Sequence, residues 1–161
     1  MTIKVGDSIP QATLNKMTEA GPQPVTTAAL FGGRTVALFG VPGAFTPTCS
    51  VKHLPGYIAH ADEIHAHGVD EIVCVSVNDA FVMGAWSQST GAADKLTMLA
   101  DGNGDFIKAM GLEMDASKFG MGVRGQRFSM LARDGKVEQL NVEEPGAFKV
   151  SSAEHLMEQL G

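Results

Sequence analysis

A chain of 161 residues with 44% hydrophobic content fits one domain, residues 1–161, able to bury roughly two-thirds of the surface its unfolded form exposes. A net charge of -6 with both signs interspersed, and no window near the ~20 apolar residues of a membrane span, argue against nucleic-acid and membrane partners and leave small molecules and proteins. Two cysteines are too few for a secreted disulfide scaffold, and no basic stretch leads into an apolar one at the start, so the cytoplasm is the expected location and the cysteines read as thiols.

The first thirty-five residues, with Pro10, Pro22 and Pro24, suit a small edge hairpin. Two continuous apolar runs, Val36 to Val41 and Ile72 to Val77, are rich in Val and Ile and do not alternate, which predicts strands buried on both faces of a sheet. A helical segment lies between them and completes a βαβ unit. It should be kinked at Leu54-Pro55-Gly56, continue through His67 and stop at Gly68.

Asp79 can cap a helix through about Ser89, with Phe81, Val82, Ala85 and Trp86 recurring at helical spacing. Leu96 to Leu99 reads as a strand and Gly104 to Met110 as a short helix ended by Gly111. Asp115 to Gly125, with three glycines, reads as loop. Phe128 to Arg133 and Lys136 to Val142 flank Asp134-Gly135, a strong two-residue hairpin signal. Ser152 to Leu160 closes the chain as a helix with Leu156, Met157 and Leu160 inward. The order predicts an α/β sandwich around a central mixed sheet flanked by helices, a thioredoxin-like fold carrying an insertion.

The chemistry concentrates after the first buried strand, in Pro42-Gly43-Ala44-Phe45-Thr46-Pro47-Thr48-Cys49-Ser50. Thr46 is a good N-cap and Pro47 suits the first helical position, so Cys49 falls in the first turn, where unpaired N–H groups and the helix dipole favour a thiolate. A bent turn can aim it into a pocket. A free thiol of pKa about 8.5 is only ~3% ionised at neutral pH, and reaching ~90% takes roughly 3.4 kcal/mol. A helix terminus supplies about 0.3 to 1 kcal/mol, rising toward 2 when partly buried, so a cation from elsewhere in the fold is expected beside the sulfur. On spacing alone, a buried core cysteine is an equal alternative.

These residues resemble a known family. The run Pro42 to Ser50, followed by His53-Leu54-Pro55-Gly56-Tyr57, is similar to the active-site signature of type II peroxiredoxins, the peroxiredoxin-five group. Val75 to Val82, and Arg127-Phe128-Ser129-Met130 ahead of Asp134-Gly135, extend the match over most of the chain. The resemblance implies a thiol peroxidase that reduces hydrogen peroxide and organic hydroperoxides, with Cys49 as peroxidatic cysteine, Thr46 as its hydroxyl partner, Pro42 as a shield and Arg127 as the missing cation. No cofactor or metal is implied, and dimeric relatives suggest a homodimer.

Some members carry a resolving cysteine near the C-terminus, and Gly146 to Leu160 has none. Cys74, the other cysteine, sits mid-strand and reads as a small core residue. The resemblance therefore implies a one-cysteine cycle reduced by an external thiol, glutathione or glutaredoxin, with thioredoxin also possible. Arg124 resembles a family position near the active site, although as a loop arginine it reads as a solvated charge. His53 is expected to shape the pocket wall, and a zinc set of Cys49, His53 and a further histidine is disfavoured because metal would silence the nucleophile.

Asp101-Gly102-Asn103-Gly104-Asp105 fails as a calcium loop, since Phe106 replaces its glycine and Leu112 its glutamate, and reads as a helix-capping turn. Phe45, Phe81, Met83 and Trp86 suit either core or a dimer contact. A disulfide reductase would need a second cysteine where Ser50, Val51 and Lys52 stand. A non-catalytic thiol sensor or chaperone-like binding protein is the remaining alternative, and it would tolerate loss of Arg127.

Overall fold

The computed structural model describes residues 2–160; Met1 and Gly161, the ends of the expected domain, lie outside the described residues. The chain opens with the expected edge hairpin, β1 (Thr13–Thr18) and β2 (Gly21–Thr26), then adds an unforeseen short helix, α1 (Thr27–Phe31), capped by Thr26. The first buried strand is β3 (Thr35–Val41). After it come a π-helical turn (Cys49–His53), α2 (Leu54–Ala59), α3 (Ala61–Ala66) and β4 (Glu71–Ser76). Then follow α4 (Ala80–Thr90), β5 (Thr97–Ala100), α5 (Asp105–Met110), β6 (Glu113–Asp115), a 3-10 turn (Ser117–Phe119), β7 (Val123–Gly125), β8 (Phe128–Arg133), β9 (Lys136–Val142) and α6 (Ala153–Leu160).

Seven strands form one sheet in the order β2-β1-β5-β4-β3-β8-β9, with β3, β4 and β5 parallel and the outer pairs antiparallel. The mixed sheet and its flanking helices are those expected of a thioredoxin-like fold. Continuous apolar runs suit the centre because each face is covered. Ala37, Phe39 and Val41 of β3 and Cys74 of β4 pack under α2, α3, α4 and α6, while Val36, Leu38, Val73 and Val75 pack under α1 and α5. Close packing reaches the backbone: a Cβ on Gly40 would collide with the Phe128 ring.

The β8–β9 hairpin turns at Asp134 (φ 50°) and Gly135 (φ 74°), the left-handed pair that a two-residue loop requires. On the far edge, β2 carries Pro22 and Pro24 opposite Met17 and Asn15 of β1. A proline has no N–H to give a ladder, so both nitrogens belong to the outward side of that strand.

Two expectations need correction. Residues 115–125 are no plain loop: β6 and β7 pair antiparallel, Glu113 with Gly125 through Asp115 with Val123. Strands of three residues are too short to show alternation. In α4 the inward stripe is Ala80, Met83 and Trp86, whereas Phe81 and Ala85 face solvent. The helix opens on an Asp79 cap, whose side chain accepts from Val82 N at 2.9 Å.

Candidate active site

The segment leaving β3 is held by its neighbours before it becomes helical. Asn78 Oδ1 accepts from Ala44 N at 3.0 Å and from the Ser76 hydroxyl at 2.6 Å, tying the loop to the end of β4. Phe45 adopts φ 64°, an uncommon conformation for a side chain of its size, to complete the turn from Gly43 to Thr46. Thr46 does open the helix, its carbonyl accepting from Ser50 N at 2.9 Å. Its hydroxyl does not cap, however: it donates to Gly43 O at 2.7 Å, and no bond from it to the Cys49 sulfur occurs among the described residues.

Cys49 begins a π turn in which Leu54 N reaches back to Cys49 O. Pro55 explains the wide turn, because in a regular α-helix its ring would collide with the carbonyl of Val51. Trp86 Nε1 donates to Ser50 Oγ at 3.1 Å and pins the same turn to α4. The sequence suggested a cysteine aimed into a pocket. Here the bent turn sets Cys49 behind the wall, with no exposed surface of its own. Thr48, Pro42 and Arg127 line a neighbouring cleft of about 710 Å³ together with Phe119 and residues 143–147.

Arg127 stands in the short link between β7 and β8, far from Cys49 in sequence. The β3–β8 pairing brings its side chain to the turn, where Nη2 donates to Cys49 Sγ at 3.1 Å. Its Nη1 donates to His53 Nδ1 at 2.9 Å. The guanidinium is thus shared between a sulfur and an imidazole, one Nη for each.

His53 is fully buried between Phe39, Tyr57 and Phe148, with ring centroids 4.9, 5.6 and 5.2 Å away. Burial, reinforced by the Arg127 charge, pushes its pKa down to about 3 against the opposing effects of its Ser151 bond and Glu143. The ring is therefore neutral at ordinary pH, with Nε2–H donating to Ser151 O at 2.9 Å and Nδ1 free to accept from Arg127. Tyr57, whose phenol is raised well above its ordinary value by burial, donates to the same carbonyl at 3.0 Å.

Pro42 lines the cleft, and Arg124 of β7 reaches toward its carbonyl at 3.5 Å while its Nε donates to Met121 O at 2.9 Å. Arg124 thus stitches the β6–β7 hairpin to the loop before the helix. Cys74 lies fully buried in β4, its thiol pKa pushed up by burial and then by the neighbouring Cys49. Asp101 behaves as a cap, accepting from Phe106 N at 3.1 Å and Ile107 N at 2.9 Å. Met83 and Trp86 are core, whereas Phe45 and Phe81 are 54% and 68% exposed. Phe148, Glu143 and Ser151, which complete the shell around His53, carry no local sequence signal, since the chain folds them back from the segment before α6.

A Redoxin family model matches residues 4–157. Chloroplastic Peroxiredoxin-2E-2 of Oryza sativa subsp. japonica is 54% identical over 164 residues, covering 99% of this chain and 73% of that protein. Peroxiredoxin-2B of Arabidopsis thaliana is 46% identical over 159 residues, 98% of each chain. Among solved structures, reduced Prx3 of Vibrio vulnificus in complex with hydrogen peroxide superposes with a TM-score of 0.96 at 51% identity, covering 99% of this chain and 100% of that one. Peroxiredoxin 5 of Alvinella pompejana gives 0.86 at 34% identity, covering 98% and 97%. With a thioredoxin-like sheet, a cysteine at the start of the turn that leads into α2 and these relatives, the chain belongs to the Redoxin family and, within it, to the type II peroxiredoxins, which are thiol peroxidases.

Proposed function

We propose that Cys49 is the peroxidatic cysteine and that Arg127, Thr46 and Pro42 build its site. The observation that carries this reading is the 3.1 Å contact of Arg127 Nη2 with the Cys49 sulfur, a charge-assisted donor placed to stabilise negative charge there. The thiolate pair attacks one peroxide oxygen and forms an S–O bond. The O–O bond breaks, and its electrons leave with the second oxygen, which takes a proton to become water or an alcohol.

Arg127 is positioned to spread the charge of that step. Thr46, having given its hydrogen to Gly43, presents oxygen lone pairs that can receive the hydrogen of an incoming hydroperoxide. Pro42 closes the mouth. A cleft of about 710 Å³ exceeds what hydrogen peroxide fills and accommodates an organic hydroperoxide.

The product on the enzyme is a sulfenic acid. In a one-cysteine cycle an external thiol condenses with it, releasing water and leaving a mixed disulfide, and a second thiol restores Cys49. Glutathione or glutaredoxin is the reductant we infer. Burial of Cys74 in β4, with its thiol held protonated, supports a cycle that leaves it out. We further infer a homodimer that covers exposed Phe45 and Phe81, and a reducing, cytoplasmic setting that keeps both thiols free.

Hydroperoxide consumption with glutathione and glutaredoxin tests this directly. Cys49→Ser is expected to be inactive and Cys74→Ser close to wild type. Stalling of Cys74→Ser in the oxidised form would overturn the one-cysteine cycle, and thioredoxin supporting turnover where glutaredoxin does not would overturn the reductant.

A further inference from the structure

Beyond the residues that face the reacting sulfur, one buried carboxylate controls the segment behind them. Glu143 follows β9, and its backbone N–H donates to Arg127 O at 2.9 Å. Only 6% of it is exposed, yet its carboxylate needs no cation, because a single oxygen collects four donors. Lys149 N, Val150 N and Ser151 N reach Oε2 at 2.8, 2.9 and 2.8 Å, and the Ser151 hydroxyl does so at 2.7 Å. Burial opposes ionisation of this group, but the donors outweigh it and hold its carboxyl below the usual range. The charge is therefore a permanent part of the fold near neutral pH.

The consequence runs toward the sulfur. Ser151, gripped at N–H and hydroxyl by Glu143, turns its carbonyl to His53 Nε2 at 2.9 Å. That bond leaves His53 Nδ1 as an acceptor, and Nδ1 takes Arg127 Nη1 at 2.9 Å. With Nη1 on His53, the other arm of the same planar guanidinium, Nη2, lies on Cys49 at 3.1 Å.

We propose that Glu143 is a positioning residue for the Arg127 guanidinium, acting through the Ser151 carbonyl and the His53 ring to keep Nη2 on the Cys49 sulfur. The proposal rests on Cys49 and Arg127 being the reacting pair. Glu143 does not touch that sulfur, and a merely structural role would lower stability without changing how Cys49 responds to pH.

The test is Glu143→Gln, read by the pH dependence of Cys49 alkylation with iodoacetamide, by peroxide kcat/KM, and by thermal melting. A neutral amide accepts fewer and weaker bonds, so the 149–151 segment loosens. The alkylation midpoint is expected to move up by about one pH unit, with kcat/KM at neutral pH falling about tenfold. A folded Glu143→Gln protein with the wild-type midpoint overturns the proposal.

Should that variant fail to fold, Ser151→Ala, which deletes one of the four donors, is read the same way. A smaller upward shift supports the coupling and an unchanged midpoint overturns it. If wild type consumes no peroxide while the midpoint still moves in the variant, the functional reading fails and the coupling from Glu143 to the sulfur stands.

Discussion

Arg127 serves two acceptors 3.1 and 2.9 Å away with different nitrogens, which a lysine cannot do: one ammonium on a flexible stem has neither the fork nor its fixed plane. Arg127→Lys is therefore expected to keep the charge and still lose about 10²-fold in kcat/KM for peroxide, followed by stopped-flow Trp86 fluorescence. An unchanged rate would show that charge alone suffices. Cys49 stood out from its place after Thr46-Pro47, but spacing left a core cysteine equally open, and only the family resemblance pointed to Arg127. His53 read as a residue shaping the pocket wall, whereas it is fully buried and does not line the cleft; its role as the acceptor that fixes Arg127 depends on a tautomer set by Ser151, a residue folded back from the last loop.

Among the elements, α4 has the clearest dependence on one side chain. Asp79 accepts from Val82 N and fixes the first turn, and two turns on Trp86 donates to Ser50 beside Cys49. Asp79→Ala is expected to cost about 1 kcal/mol in urea unfolding and to loosen the Cys49 turn, seen as faster amide exchange at Ser50. The cap and the helix were readable in the sequence, but which stripe faced inward was not: Phe81 is more apolar than Ala80, yet it is left outside by the geometry of the sheet beneath. The β6–β7 pair was hidden for a different reason, since its short strands hold together through backbone pairing and Arg124 rather than a hydrophobic pattern.

For the whole molecule, the buried network sets an acid limit. The unfolded chain protonates His53 at its ordinary pKa of 6.5, while the folded chain resists until about 3. Stability from this group is complete above pH 6.5 and drains as pH falls toward 3, on the order of 5 kcal/mol in all. Glu143, held below its usual value, adds loss in the same direction at more acid pH, whereas Asp101, raised by burial, works against it. Urea unfolding followed between pH 7 and 4 is expected to weaken steadily, and His53→Asn to flatten that slope. The overall α/β order was readable because the central strands, buried on both faces, leave unbroken Val and Ile runs.

The two prolines of β2 have a consequence for how this protein behaves in a crowded solution. An approaching strand needs a row of hydrogens to grip, and at Pro22 and Pro24 the open margin of the sheet has none to offer. Folded molecules meeting at that margin find no ladder to extend, so the sheet resists growing from copy to copy at high protein concentration.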